Sequence, residues 1–382
     1  MRINSVRSGL LSFVLFFGAC TGIKKIAQPT AGITAIKFLG EYDIPYNLNF
    51  NNTVVGGLSG IDYNVKEKLF YLIADDRSDK NPARFYTARI FFNQKGIDSI
   101  RFLNTYPLLK EDGRVYPNSK QDPSNTPDPE AIRYSPRGKQ LVWSSEGERI
   151  LRGKDTILAN PSINWITTSG KFKGSFLLPA NLQMQATEKG PRQNGVLEGM
   201  SFADNYKTLF VSLEEPLYED GPRADLERNA AFTRIYQFKV ATKQNTAQYA
   251  YELDPIARPA NPVTGFKING IPDILSIGPN KLLVLERSFS TGTLPCTIKV
   301  FVVNLDNATD ISSTELRGNN HFTPVSKKLL LNMDELGIYT DNIEGMTFGP
   351  LLANGHKTLL FIADNNFSIA EKAQLLLFEL LE

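Results

Sequence analysis

Short apolar runs separated by tight, polar turns fill most of this chain. In residues 197–215, the run "EGMSFA" is followed by the turn "DNYKT" and then by the apolar run "LFVSL", which ends in two glutamates. Turns rich in Asn, Asp, Gly and Pro between β-prone runs are typical of antiparallel hairpins. The pattern therefore predicts an all-β protein.

The same phrase of an acidic residue, a β-hairpin and a second acidic residue occurs five times. The copies span residues 57–76, 129–147, 197–215, 272–287 and 343–365. The first acid, or its equivalent, recurs every 68 to 75 residues at Ser59, Glu130, Glu198, Asp273 and Glu344. A repeat of this length indicates an architecture built from similar modules.

Most copies are followed by two more β-prone runs, and four antiparallel strands per repeat are typical of a propeller blade. The last copy has three runs, and residues 33–45 offer the missing strand. An N-terminal strand that completes the last blade removes two exposed sheet edges. We therefore predict a five-bladed β-propeller over residues 31–382. Six blades are the alternative if a long connection contains another blade, and a pair of β-sandwiches is the second alternative.

The first 20 residues form a different kind of segment. Arg2 and Arg7 precede the apolar stretch 10–17, which is followed by Gly-Ala-Cys, with Cys20 as the last residue. A positive start, a short apolar stretch and small residues are typical of an export signal. Cys20 in this position resembles a bacterial lipoprotein signal, so we predict lipidation there, a tether over 21–30 and a place in the cell envelope, in the periplasm or at the outer membrane. An ordinary secretory signal is the alternative. Cys296 begins a β-prone run and is predicted to be a buried thiol.

Composition limits the possible chemistry. The chain has 42 Lys and Arg against 40 Asp and Glu, a net charge of +2, which gives no indication of a nucleic-acid partner. It contains two histidines, so a site made of several histidines is not expected.

The acids of the repeated phrase are expected to meet at one end of the propeller. The start of a blade's first strand and the end of its second lie at the same end of the sheet, because the two strands are antiparallel. The first strand is innermost, so this end is one mouth of the central channel. The residues that end the second strands there are Asp75, Asp76, Glu146, Glu214, Glu215, Glu286 and Asp364.

So many carboxylates in one cleft bind cations, pair with Arg and Lys, or become protonated. Oxygen ligands in this number suit Ca²⁺, or Mg²⁺ with retained waters. Arg77, Arg234 and Arg287 lie near the same mouth in the sequence pattern and are candidates to bind phosphate. The alternative is structural: Arg84, Arg149 and Arg234 would begin third strands and form salt bridges with the acids.

The phrases "EGMSF" and "EGMTF", the strand ends "LFVSLEEP" and "LLFIADNN", and "RIYQF" resemble the phytase-like family, also described as having esterase-like activity of phytase. The resemblance covers residues from about 50 to the end. It implies an exported propeller rich in Asp and Glu that hydrolyses phosphoesters. The family's acids, carried over by position, are Glu130, Glu198, Glu214, Glu215, Glu344 and Asp364. The chain departs from the family pattern at Ser59 and around Asp273, which Ile274 follows in place of Gly.

The leading hypothesis is a Ca²⁺-dependent phosphoester hydrolase, with Glu130, Glu198 and Glu344 as catalytic carboxylates, the strand-end acids as metal ligands and the three arginines binding substrate. Its partners would be a phosphorylated small molecule and, through the N-terminal lipid, a membrane. The alternative is a non-catalytic propeller that binds an envelope glycan, peptide or protein. A metal-dependent lactonase or carboxyl esterase is a third reading.

Overall fold

The computed structural model describes residues 32–381, so the predicted signal, Cys20 and the tether lie outside the described residues. The strands, in chain order, are β1 (Ala35–Ile44), β2 (Asn49–Phe50), β3 (Thr53–Val54), β4 (Gly60–Asn64), β5 (Leu69–Ala74), β6 (Arg84–Asn93), β7 (Gly96–Pro107), β8 (Pro129–Ser135), β9 (Gln140–Ser145), β10 (Glu148–Ile150), β11 (Ile157–Ala159), β12 (Ser162–Thr167), β13 (Phe172–Ser175), β14 (Leu197–Ala203), β15 (Thr208–Leu213), β16 (Phe232–Lys239), β17 (Gln244–Glu252), β18 (Lys267–Gly278), β19 (Lys281–Ser290), β20 (Thr293–Asn304), β21 (Ser326–Asn332), β22 (Asn342–Phe348), β23 (Thr358–Asp364) and β24 (Ala373–Leu381).

Twenty of these strands form five antiparallel sheets of four strands, arranged as the blades of a ring. Blade 1 is β4–β7, blade 2 is β8, β9, β12 and β13, blade 3 is β14–β17, and blade 4 is β18–β21. Blade 5 contains β22, β23 and β24, with β1 as its outer strand. The prediction of a five-bladed β-propeller is confirmed.

The N-terminal strand closes the ring as predicted. β1 pairs with β24 in antiparallel register from Ala35 opposite Leu381 to Ile44 opposite Ala373. The outer strand of blade 5 thus comes from the opposite end of the chain from its other three strands. Because the two ends of the chain share one sheet, opening either end disrupts a whole blade.

The glycine of the repeated Glu-Gly-Met phrase allows the innermost strands to approach one another closely. A Cβ at Gly60 would lie 2.7 Å from the Glu130 carbonyl oxygen, and a Cβ at Gly345 would lie 2.7 Å from the Ser59 carbonyl oxygen. At Gly199 it would lie 2.6 Å from the Cα atom of Asp273. Such contacts are not tolerated, so the glycine is required by the packing of neighbouring blades rather than by the mouth chemistry.

Each pair of neighbouring blades encloses its own apolar core. Blades 2 and 3, for example, bury Trp165 against Phe202 with stacked rings 5.7 Å apart. Equivalent clusters lie between the other four pairs of neighbours. Burial of one such large apolar side chain contributes about 1.5–3 kcal/mol, so the five blade interfaces together favour folding strongly.

A buried ion pair crosses the centre of the ring. The guanidinium of Arg133 donates to both carboxylate oxygens of Asp273 at 2.6 Å, and to the carbonyl oxygens of Ile61 and Met200. The backbone N–H of Met346 donates to the same carboxylate at 2.7 Å. These five residues belong to five different blades, so a single network ties the whole ring together.

Two connections were not predicted. In blade 2 the small hairpin β10–β11 is inserted before the third strand. The loop 305–325 runs along β17, where Ile311 and Val325 donate N–H groups to carbonyl oxygens of that outer strand. This loop covers the open edge of blade 3.

Within residues 32–381, none of the helices has the length and apolar character needed to cross a bilayer.

Candidate functional site

Strand register decides which side chains reach the mouth. In each blade one residue pair fixes the register of the inner hairpin: Ile61–Leu72, Ile132–Trp143, Met200–Val211, Ile274–Val284 and Met346–Phe361. The mouth positions lie two residues before the first member and three residues after the second. They are occupied by Ser59, Glu130, Glu198, Pro272 and Glu344, and by Asp75, Glu146, Glu214, Arg287 and Asp364.

A bulge accompanies this arrangement in four of the five blades. The pairing shifts between Leu197 and Met200 in blade 3, and at the equivalent positions of blades 2, 4 and 5. A bulge at a strand end changes the direction of a side chain, and such bulges are common beside functional sites. Here the bulges occur at the position of the first acid of the phrase.

In blade 4, two of the predicted mouth residues lie one position away from the residues that reach the mouth in the structure. Asp273 occupies the place of the glycine in the phrase and points into the channel, where it pairs with Arg133. Glu286 faces the interior of the blade interface, where it accepts hydrogen bonds from Tyr251 and Lys327. A shift of one residue moves a side chain to the other face of a strand, so Arg287, and not Glu286, reaches the mouth.

Two further predicted ligands are used elsewhere. Asp76 accepts hydrogen bonds from the backbone N–H groups of residues 79–81 and forms a buried ion pair with Arg84 at 2.6 Å. Glu215 pairs with Arg223 at 2.7 Å. Each is the second of two adjacent acids, and adjacent residues of extended chain point in opposite directions. The first acids, Asp75 and Glu214, reach the mouth.

Arg234 also lies away from the site. Its side chain is buried and forms a two-fold ion pair with Asp220, at 2.6 Å for both contacts. It also donates to the carbonyl oxygens of Ile311 and Thr314, which fixes the loop 305–325. Its donors are thus already used in holding this loop, so the prediction that Arg234 binds substrate is not supported by its position.

Arg149 belongs to the inserted hairpin and not to a third strand, and it lies over the ring of Tyr218.

The remaining acids interact with one another around the mouth, and we call this set the carboxylate array: Asp75, Asp128, Glu130, Glu146, Glu198, Glu214, Glu344 and Asp364. Two groups of three are close enough to share one ion. Oxygen atoms of Asp75, Asp128 and Glu130 lie within 4.8 Å of one another, and so do those of Glu130, Glu146 and Glu198. Glu130 belongs to both groups and therefore links blades 1, 2 and 3.

Asp128 was missed by the sequence analysis. It lies two residues before Glu130, outside the repeated phrase, and its backbone is fixed by Ser145, whose hydroxyl accepts from the Asp128 N–H at 3.0 Å. The motif Asp-Pro-Glu, which occurs in this copy of the repeat alone, is the signal that could have identified it.

Burial and mutual repulsion raise the pKa of several carboxyl groups of the array. Burial, and then the charge of Glu198, hold the pKa of Glu130 well above its usual range. Burial and neighbouring carboxylates do the same for Asp75, Glu198 and Asp364. Burial raises the pKa of Glu146 to about 8. Carboxyl groups in this state accept either protons or a cation, because isolated negative charge is costly away from water.

Two arginines lie at the edges of the array. Arg287 donates to Glu214 at 2.8 Å and to Asn342 at 2.7 Å, and its Nε has no hydrogen-bond partner. Arg77 donates to Glu148 at 2.5 Å, while its Nε and one terminal nitrogen are likewise without a partner. Arg77 Nε lies 3.7 Å from Asp128. Both guanidinium groups therefore keep buried N–H donors that no described residue satisfies.

The group Glu130, Glu146 and Glu198 fits a hard cation best. Among the described residues, no Lys or Arg forms a salt bridge with any of the three, whereas Asp128 lies beside Arg77 and Glu214 pairs with Arg287. The backbone N–H of Val196 donates to one oxygen of Glu146, which fixes that carboxylate. An all-oxygen donor set of this kind is suited to Ca²⁺ or Mg²⁺.

Cys296 is buried as predicted, at 3% exposure. Burial raises the pKa of its thiol to about 11, so it stays protonated at neutral pH.

Several solved structures resemble the chain at low sequence identity. An α-L-arabinofuranosidase from Lactobacillus brevis is 11% identical, with 84% of this chain and 90% of that chain covered and a TM-score of 0.45. An exo-β-1,3-galactanase from Phanerochaete chrysosporium is 11% identical, covering 90% and 65%, with a TM-score of 0.44. A gluconolactonase from Xanthomonas campestris is 9% identical, covering 92% and 97%, with a TM-score of 0.37. No protein of curated function matches the sequence significantly.

A family model, by contrast, matches most of the sequence. The phytase-like model, described as esterase-like activity of phytase, matches residues 53–367. The matched range begins just before blade 1 and ends just after β23, so it includes the whole carboxylate array. The chain therefore belongs to the phytase-like family of β-propellers.

Proposed function

We propose that this chain is a metal-dependent phosphoester hydrolase whose active site is the carboxylate array, with Ca²⁺ as the leading candidate ion and Mg²⁺ as the second. The observation that carries the proposal is the group Glu130, Glu146 and Glu198. Two of its carboxylates are buried, that of Glu198 is half-buried, and none of the three forms a salt bridge with a described Lys or Arg. Arg77 and Arg287, at the edges of the array, keep nitrogen donors that have no partner. The family match supports the proposal but does not identify a substrate.

In this proposal, Glu130, Glu146 and Glu198 hold the cation. When bound, such an ion withdraws electron density from a phosphoryl oxygen and lowers the pKa of a coordinated water. Asp75 and Asp128 complete the negative surroundings of the ion on the side of blade 1. The carboxylates are held by strand ends and bulges of a rigid ring, so they are preorganised for the ion.

The arginines bind the substrate phosphate. Arg287 has the place that a carboxylate occupies in the other four blades, so a positive group faces the array at one point of the ring. It is fixed there by Glu214 and Asn342, and its free Nε can donate to a phosphate oxygen. Arg77 plays the same part at the other edge, since its unused nitrogens lie beside Asp128.

Glu344 is the group best placed to accept a proton from water. Its carboxylate is part-exposed and lies 3.7 Å from Arg287, so it is near the place where the phosphate is bound. Burial raises its pKa to about 7, and Arg287 limits the rise. A base with a pKa near the working pH is the most effective in general-base catalysis.

The N-terminal segment supplies the location in this proposal. Export, lipidation at Cys20 and a short tether would place the propeller at the cell envelope, where it would act on a phosphorylated small molecule. The first described strand begins at the end of blade 5 opposite the mouth, because Ala35 pairs with Leu381 and Ile44 with Ala373. The mouth would thus face away from the tether.

The test is a panel of phosphomonoesters and phosphodiesters assayed with Ca²⁺ and with a chelator. We expect hydrolysis of at least one ester with Ca²⁺, loss of that activity with chelator, and recovery when the ion is restored. No hydrolysis across the panel would contradict the proposal. If the protein hydrolyses no ester but binds an envelope glycan or peptide, a non-catalytic binding propeller would be favoured.

The metal-free protein is expected to lose stability as pH rises. Folding raises the pKa of Glu344 from 4.5 to about 7 and that of Glu146 from 4.5 to about 8. The folded state therefore binds protons more tightly than the unfolded state, and the stability present below pH 4.5 is lost as pH rises through 7 to 8. We expect the melting temperature in chelator to fall between pH 5 and 8.5.

Calcium should remove most of this fall, because a bound cation replaces the protons. The gain in melting temperature on adding Ca²⁺ is therefore expected to be larger at pH 8 than at pH 5. Equal gains at both pH values would show that the ion binds elsewhere. The control is Glu215→Gln, which lies outside the array and should leave the pH dependence of the Ca²⁺ effect unchanged.

A further inference from the structure

A second cleft lies on the face of the propeller opposite the carboxylate array. It has a volume of about 310 Å³ and lies between blades 2 and 3. Its lining comes from the turn that joins β8 to β9, from β12 and β13, and from the turns at the same end of blade 3. A cleft of this size is sufficient for a small ligand.

The charge of this cleft is entirely positive. Arg137, Lys173 and Lys243 line it, and no carboxylate is among its lining residues. None of these three side chains forms a salt bridge or a hydrogen bond with any residue in the range 32–381. By contrast, Arg84, Arg133 and Arg234 are all paired with carboxylates in the interior of the protein.

Neutral donors add to the three cations. Trp165 and Tyr206 also line the cleft, and neither the indole N–H nor the phenol hydroxyl has a partner among the described residues. Tyr206 has a φ of 63°, an unusual value for an aromatic residue. Its ring packs on Phe202 at 5.4 Å, which holds the strained turn in place.

From this combination we infer that the cleft is an anion-binding site for a phosphate or sulfate group. Three unpaired cations that line one cleft repel one another, and the attraction of each to a bound dianion offsets this repulsion. The ligand is either a small soluble phosphate or the headgroup of an anionic lipid. A lipid is compatible with the fold, because Ala35, near the start of the described chain, lies on the same end of the ring as the cleft. The inference is independent of the proposed hydrolase.

Fluorescence of Trp165 provides a direct test. The chain has two tryptophans, and Trp143 lies in a different core, between blades 1 and 2. In a Trp143→Phe variant, Trp165 alone reports on the cleft. We expect titration with inorganic phosphate or sulfate to produce a saturable change in its emission. Vesicles of phosphatidylcholine with and without phosphatidic acid distinguish a soluble anion from a lipid headgroup.

The variant Lys173→Gln with Lys243→Gln should weaken the binding at least about tenfold, because it removes two of the three positive charges that line the cleft. The matched control is Lys171→Gln, an exposed lysine that does not line the cleft. Calorimetric titration of phosphate into the wild type and the double variant gives the same comparison without the Trp143 change. A response to phosphate or to phosphatidic acid alone supports the inference and identifies the source. No response to any probe, or equal affinity in the double variant, would overturn it.

Discussion

Replacement of Asp273 by alanine is expected to destabilise the protein by about 3–5 kcal/mol, the usual effect of removing one partner of a buried ion pair. Arg133 would keep its charge in the centre of the ring, 2% exposed, without a carboxylate. The same change would remove the acceptor of the Met346 N–H. Urea unfolding of the wild type and the variant measures the difference.

The control for this prediction is Asp112→Ala. Asp112 forms an ion pair with Arg114 of the same length, 2.6 Å, but on the exposed surface. Exposed pairs contribute little, so its loss should change the free energy of unfolding far less. Replacing Arg133 by methionine in the Asp273→Ala background should restore part of the stability, because it removes the unpaired charge. Equal effects of Asp273→Ala and Asp112→Ala would show that the central network does not hold the blades together.

The second large effect is expected at Glu198. Glu198→Gln keeps the shape of the side chain but removes one negative charge from the group with Glu130 and Glu146. We expect Ca²⁺-dependent hydrolysis to fall at least about 100-fold, because even residues that only support a metal ligand change affinity or activity 10–100-fold. Initial rates on the best ester of the panel, over a range of Ca²⁺ concentrations, measure this effect.

Glu215→Gln is the matched control, since Glu215 is also a glutamate of blade 3 but pairs with Arg223 outside the array. Its activity should stay close to that of the wild type. If Glu198→Gln retains wild-type activity at low Ca²⁺ concentration, the array does not contain the catalytic metal.

The fold could be predicted from the sequence repeat. The five hairpins follow from apolar runs and turn residues, and strand β1 follows from the missing fourth strand of the last copy. Both are local features of the sequence. The Arg133–Asp273 network could not be found in this way, because its members lie 140 residues apart and meet only when all five blades are in place.

The site was harder to predict because a β-strand alternates its faces at every residue. An alignment error of one position in blade 4 placed Glu286 at the mouth together with Arg287, and placed Asp273 at the mouth instead of in the channel. Of the adjacent acids in blades 1 and 3, only the first reaches the mouth, and the sequence does not say which. Arg234 was assigned from its place at the start of a strand, whereas the loop 305–325, far along the chain, uses its donors.

Calorimetric titration of Ca²⁺ into chelator-treated protein tests the central claim most directly, since the account depends on the carboxylate array holding a cation. If the array holds the cation, Ca²⁺ binds to the wild type and to Glu215→Gln with a heat signal that saturates, and the Ca²⁺ affinity of Glu198→Gln is strongly reduced. Absence of binding in the folded wild type, or the same affinity in all three proteins, would contradict the account.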